Sequence, residues 1–174
     1  GQDGSPRALD DLELAVRLSY FLWSSPPDSQ LLELAKAKQL RDPAVLRAQV
    51  DRLIQDRRAH HFVSGLAHQW LDMKRLDFFQ FDVARHREFD ESTRAAAREE
   101  VYQSILHLLR SKDQGQLQNL LKSDYVVVNG LMAAHYGLEG VVGDHYRKVS
   151  LPDNSPRGGL LGMAAINAMG SDGI

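Results

Sequence analysis

Seven histidines and not one cysteine set the terms for any chemistry in this chain. Without thiolates, a metal site must be built from imidazole and carboxylate groups. His68 and Asp72 are four residues apart, a spacing that on a helix can point both at one cation. His61 falls in the same angular sector but lies seven residues from His68. That is about 10.5 Å of helix rise, far for a shared ion. A helical wheel sets the group opposite Phe62, Leu66 and Trp70. A solvated polar face is therefore the expectation, and no third or fourth ligand stands at good spacing.

Four other groupings invite a functional reading. Ser155-Pro156-Arg157-Gly158-Gly159 runs into the last helical stretch. Backbone N–H groups at a helix start bind anions. No lysine follows the glycines and no buried strand precedes them, so this is neither a phosphate loop nor a dinucleotide fingerprint. Glycine is the default residue for an awkward backbone angle, and a structural lead-in turn is expected. Phe78, Phe79 and Phe81 can serve as a stacking platform for a sugar or a partner, but rings of that area more often pack into a core. His135-Tyr136-Gly137 reads as a helix end closed by glycine rather than a catalytic pair. Glu99 and Glu100, with arginines nearby, read as solvated helix charges, since acid–base work needs a shared cleft. No catalytic, cofactor-binding or metal-binding residue is assigned.

The lack of cysteine excludes disulfides, thiolate metal sites, a cysteine nucleophile and covalent haem attachment within this stretch. At 174 residues, 43% hydrophobic and 25% charged, the chain is globular, either one ordinary domain or two small helical modules. Its 21 basic and 23 acidic residues leave a net charge of -2, too little field to gather phosphate backbones, so nucleic acid is not an expected partner. No apolar run is long enough to insert in a membrane. Residues 1–8 read as a linker or cloning remnant.

The elements that would position these residues are helices. Asp10 with Glu13 has the spacing of a capping box. The helix behind it, with Leu14, Val16, Leu18, Phe21, Leu22 and Trp23, is apolar nearly all round and is expected at the centre of the core. Asp28, Asp42-Pro43, Asp56, Asp90 and Asn129 mark further helix starts. Together they predict an all-α fold, an irregular bundle of about seven or eight helices. At most a short extended segment is expected near 125–128 or 146–151. The chain divides on this reading into a first module over 9–84 and a second over 85–174, packed on the first and truncated at its C-terminal end. The segment 160–169 is uncharged and apolar in every direction. Either the preceding helices enclose it, or its outer face, around Leu161, Ala165 and Met169, is an open surface for a following module, and the second is expected.

The run Leu12-Glu13-Leu14-Ala15-Val16-Arg17-Leu18-Ser19-Tyr20-Phe21-Leu22-Trp23-Ser24-Ser25-Pro26-Pro27-Asp28 resembles the opening of a helical module in large uncharacterised planctomycete-type proteins associated with cytochrome c domains. Phe62-Val63 to Gln69-Trp70-Leu71, Asp124-Tyr125 to Asn129, His135-Tyr136-Gly137 and the run from Leu151 to Leu161 are similar to later signatures of the same family. Gly130-Leu131 departs from it, where a charged helix start is usual. The resemblance implies an exported protein, periplasmic or cell-surface, with haem c elsewhere in the full-length chain and no cofactor in this stretch. The role it implies is a non-catalytic structural or interaction module. One alternative is a part of an oxidoreductase whose haem or substrate pocket forms only in the full chain; another is a polysaccharide-binding module using the phenylalanine loop. Partners on these readings are other domains of the same chain, and a protein or polysaccharide.

Overall fold

The computed structural model describes residues 7–78, 89–111 and 118–171. The backbone separates into two compact units, Gly1–Phe62 and Val63–Ile174.

The first unit is built on aspartate caps. Helix α1 (Asp11–Trp23) starts at a complete capping box, with the Glu13 N–H on Asp10 Oδ1 at 2.8 Å and the Asp10 N–H on Glu13 Oε2 at 2.9 Å. Helix α2 (Ser29–Lys36) is capped by Asp28, and α3 (Pro43–Gln55) by Asp42 with proline in its first turn. Ala15, Leu22, Trp23, Leu31, Ala35, Leu40 and Leu53 form the core. Trp23 is its anchor. The indole N–H donates to the Leu53 carbonyl at 2.9 Å, which satisfies the one polar atom the ring buries. The Arg58 guanidinium lies 3.3 Å from the centre of the ring. Arg58 is itself held by both oxygens of Asp56 at 2.9 Å, and this pairing holds the Asp56 carboxyl down at about 2.

The apolar wheel of α1 misled in one respect. Leu12, Val16, Tyr20 and Phe21 are exposed, so the helix is not enclosed on all sides. Its burying stripe is instead Ala15, Ser19, Leu22 and Trp23. Alanine and serine bring the backbone of α1 close to its neighbours, and bulkier residues at those positions would hold them apart.

Helix α4 (Ala59–Trp70) buries Ala59, Val63 and Ala67, one residue per turn. The second unit continues with α5 (Arg75–Phe78), α6 (Glu91–Arg110), α7 (Gln118–Leu121), β1 (Tyr125–Val128), α8 (Gly130–His135), β2 (Arg147–Ser150), a 3-10 turn (Leu160–Gly162) and α9 (Ala164–Gly170). The long α6, capped by Asp90, is its axis and packs against α7, β1, α8 and α9. β1 and β2 pair antiparallel, Tyr125 opposite Ser150 through to Val128 opposite Arg147. All four β1 residues are buried, because strand partner and helix leave neither face wet, whereas β2 alternates. The fold is mostly helical with one small two-stranded sheet among the described residues, in line with the all-α expectation.

Two expectations need correction here. The 160–169 segment does not present an open apolar face: Ala165 and Met169 are buried, and α9 packs on α5 and α6. Ala164, Ala165 and Ala168 make a small-residue surface that lets α9 lie against its neighbours, and of the expected patch Leu161 alone is exposed. Phe78 is 79% exposed at the end of α5 rather than packed in a core. Phe79 and Phe81 fall outside the described residues.

The two tryptophans give an optical test of the first unit's anchor. Trp23 is 1% and Trp70 56% exposed. The Trp70→Phe protein should emit at short wavelength and shift to the red cooperatively on unfolding. Trp23→Ala should cost about 3–5 kcal/mol. A water-like emission maximum from the folded Trp70→Phe protein would place Trp23 outside the core.

Candidate functional site

A glutamate sits where no solvent reaches it. On α6 the buried stripe runs Ala97, Glu100, Val101, Ser104, Ile105 and Leu108, the spacing of a core-facing helix surface, and it carries Glu100 inward to zero exposure. Tyr136, the C-cap residue of α8, donates its hydroxyl to Glu100 Oε2 at 2.5 Å. The same hydroxyl oxygen accepts the Ala164 N–H at 2.8 Å, the first N–H of α9. One phenol thus ties three helices. Behind it the Arg157 guanidinium lies 4.3 Å from the centre of the Tyr136 ring, with Nη1 donating to the Gly162 carbonyl at 3.2 Å. Tyr146 donates to the Ala96 carbonyl at 2.8 Å, one turn before Glu100. Glu100 Oε1 has no hydrogen-bond partner among the described residues.

Burial dominates the electrostatics. It pushes the Glu100 carboxyl up to about 8, against the pull of the Tyr136 hydrogen bond and the Arg157 charge. Burial also raises Tyr136 and Tyr146, helped by Glu100 at the first and by Glu99 and Glu100 at the second. At neutral pH the cluster therefore holds its protons. Glu100 is the residue that reading by type missed: half-exposed Glu99 does sit at the surface, but Glu100 does not. The signal was its register, three residues after Ala97 and four before Ser104.

The glycine pair has a steric explanation. Gly158 and Gly159 adopt φ 105° and 70°, where side chains are disfavoured. A β-carbon on Gly158 would lie 2.1 Å from the Ser123 carbonyl oxygen, and one on Gly159 2.2 Å from that of Leu121. The Gly159 N–H donates to Ser123 Oγ at 2.9 Å, and that hydroxyl donates on to the Tyr125 carbonyl at 2.7 Å. The segment is a lead-in turn pressed against the backbone between α7 and β1. Gly137, at φ 70°, closes α8, and His135 packs its ring 5.8 Å from Phe89.

A cleft of about 610 Å³ opens between residues 119–125 and 151–157. Asn119, Lys122, Asp124, Asp153, Asn154 and Arg157 line it, so Arg157 belongs both to the cleft wall and to the buried cluster. His61, His68 and Asp72 are all exposed. Helix α4 ends at Trp70, so Asp72 lies beyond it at φ 50°, with its carboxylate 3.6 Å from Lys74 Nζ. The helical spacing that would have aimed Asp72 and His68 at one ion is lost. Among the described residues no group of three or more His, Asp or Glu side chains gathers.

Residues 9–138 match the family model described as PSD4: Protein of unknown function (DUF1592). The chain belongs to this family. The DUF1592 match takes in Glu100 and Tyr136 but ends before Arg157 and the glycine turn, so the buried cluster is completed by residues beyond it. No curated protein and no solved structure matches the DUF1592 chain.

The buried carboxyl should be visible in stability. Folding raises Glu100 from its ordinary 4.5 to about 8, so the folded state keeps a proton that the unfolded chain releases. Stability from this group is complete below the ordinary value and is lost as pH rises through about 8, at up to roughly 1.4 kcal/mol per pH unit. Glu100→Gln should remove that slope, and the wild-type melting temperature should fall relative to the variant as pH rises from about 5 to about 8. Parallel curves would show that Glu100 ionises as freely folded as unfolded. Gly159→Ala should destabilise by roughly 1–3 kcal/mol or more, since its methyl has no space; an unchanged melt would contradict the close backbone approach.

Proposed function

We propose that this chain is a non-catalytic structural or interaction module of a larger exported protein that carries haem in another segment. The observation behind the non-catalytic part is the internal use of the polar groups. Tyr136 spends its hydroxyl on Glu100 and Ala164, and Glu100 has no exposure through which to meet a substrate. A general acid or base must come within hydrogen-bond reach of the reacting group. Export and the haem association rest on the resemblance of residues 12–28 and 151–161 to planctomycete-type proteins with cytochrome c domains. On this reading the partners are the other domains of the same protein, and the chain contributes no cofactor ligand.

A second reading has one observation in its favour. A carboxyl whose proton affinity is strongly raised by burial is the kind of perturbed group that gathers at functional sites, which suits part of an oxidoreductase whose pocket forms only in the full chain. The two readings separate in the full-length protein. As a structural or interaction module, the chain expressed as its own polypeptide should co-purify with the rest of the protein, and Glu100→Gln in the full-length protein should change the melting temperature while leaving the haem midpoint potential and its pH dependence alone. A flattened pH dependence of the potential in Glu100→Gln would replace the structural reading with the oxidoreductase one. Failure of the separated pieces to associate would remove the interaction role.

A further inference from the structure

The cleft beside the glycine turn has features that neither the fold nor the Glu100 cluster requires. Lys122, Asp153 and Asn154 are exposed, and no hydrogen bond or ion pair engages their side chains among the described residues. Among the described residues the lining carries two cations, Lys122 and Arg157, and two anions, Asp124 and Asp153, and so is balanced in charge. A phosphate or sulfate site needs surplus positive charge, and a divalent cation needs oxygen ligands whose negative charge is not already offset by neighbouring cations. A balanced lining with amides suits a neutral ligand rich in hydroxyls. Carboxylates accept from hydroxyl protons, ammonium and guanidinium groups donate to hydroxyl oxygens, and Asn119 and Asn154 can do both.

The walls are fixed before any ligand arrives. Arg157 is held from behind by the Tyr136 ring and the Gly162 carbonyl. Asn154 stands at φ 61°, and the glycine turn pins the same loop to the backbone of Leu121 and Ser123. A preorganised site loses less entropy on binding. At about 610 Å³ the cleft is of the size that ligand sites have.

We infer that this cleft binds a neutral polyhydroxylated ligand, a segment of a polysaccharide, through Lys122, Asp153 and Asn154 beside Arg157. The site differs from the phenylalanine loop, and the inference does not depend on the module reading.

The test is affinity electrophoresis of the whole chain through gels containing dextran, starch, laminarin, galactomannan or xylan, with heparin and inorganic phosphate as charged probes. At least one neutral polymer should retard the chain. Asp153→Ala, Lys122→Ala and Asn154→Gly should each weaken that retardation about tenfold or more, with melting temperatures unchanged. Asn154→Gly keeps the left-handed backbone, so a loss there reports the side chain. Phe78→Ala should bind as wild type. The inference falls if no neutral polymer retards the chain, if retardation survives Asp153→Ala, or if Phe78→Ala abolishes it. It falls equally if heparin or phosphate alone binds and Lys122→Ala removes that binding. A chain that binds no polymer yet co-purifies with the rest of its protein fails here and not as a module.

Discussion

The second unit depends on where one phenolic hydroxyl finds its partners. Tyr136 donates to Glu100 of α6 and accepts from the first N–H of α9, so three helices share one oxygen. The arrangement is tolerable because both sides of the short hydrogen bond are neutral. An ionised Glu100 in that position would leave a buried charge countered only by the Tyr136 hydrogen bond and, more weakly, the Arg157 guanidinium. The proton held by Glu100 is what allows α6, α8 and α9 to meet over a polar contact instead of an apolar one. Arg157, whose guanidinium lies over the Tyr136 ring, links this point to the cleft wall.

The first unit solves the same problem by other means. One buried polar atom, the indole N–H of Trp23, is satisfied by a backbone carbonyl, buried Asp11 is paired with Arg41, and the Asp28 and Asp56 carboxylates are paired with arginines nearer the surface. Arg52 grips Asp28 with two hydrogen bonds while Asp28 also caps α2. Such half-exposed pairs are screened and contribute little each. They orient more than they stabilise: Arg58, held by Asp56, lies over the Trp23 ring.

What could be read in the sequence was local. Asp10, Asp28, Asp42, Asp90 and Asn129 all cap helices as their spacing foretold, because a cap is decided within three or four residues. Of the extended segment expected near 125–128 or 146–151, both places form strands, the first a β-branched run that stops at Asn129. What could not be read was set at a distance. Glu100 meets Tyr136 thirty-six residues away. The pairing of β1 with β2 reaches across the whole of α8 and the turns after it, and the open side of α1 depends on which residues α2 and α3 cover. The role of the glycine turn was legible from glycine's freedom, yet the backbone it presses against was not.

Asn129 and Gly130 carry a consequence for how the protein ages. An asparagine followed by glycine is the pair most prone to cyclise, when the glycine nitrogen attacks the side-chain amide carbon. Here that nitrogen donates to the Gly143 carbonyl at 2.8 Å, and the Asn129 amide oxygen is fixed on the Met132 N–H at 2.9 Å. Asn129 is also buried. The two reacting groups are each committed elsewhere, so the same contacts that start α8 hold back deamidation. Chemical damage at this bond then becomes a record of time spent unfolded, accumulating in molecules that have opened and sparing those that have stayed closed.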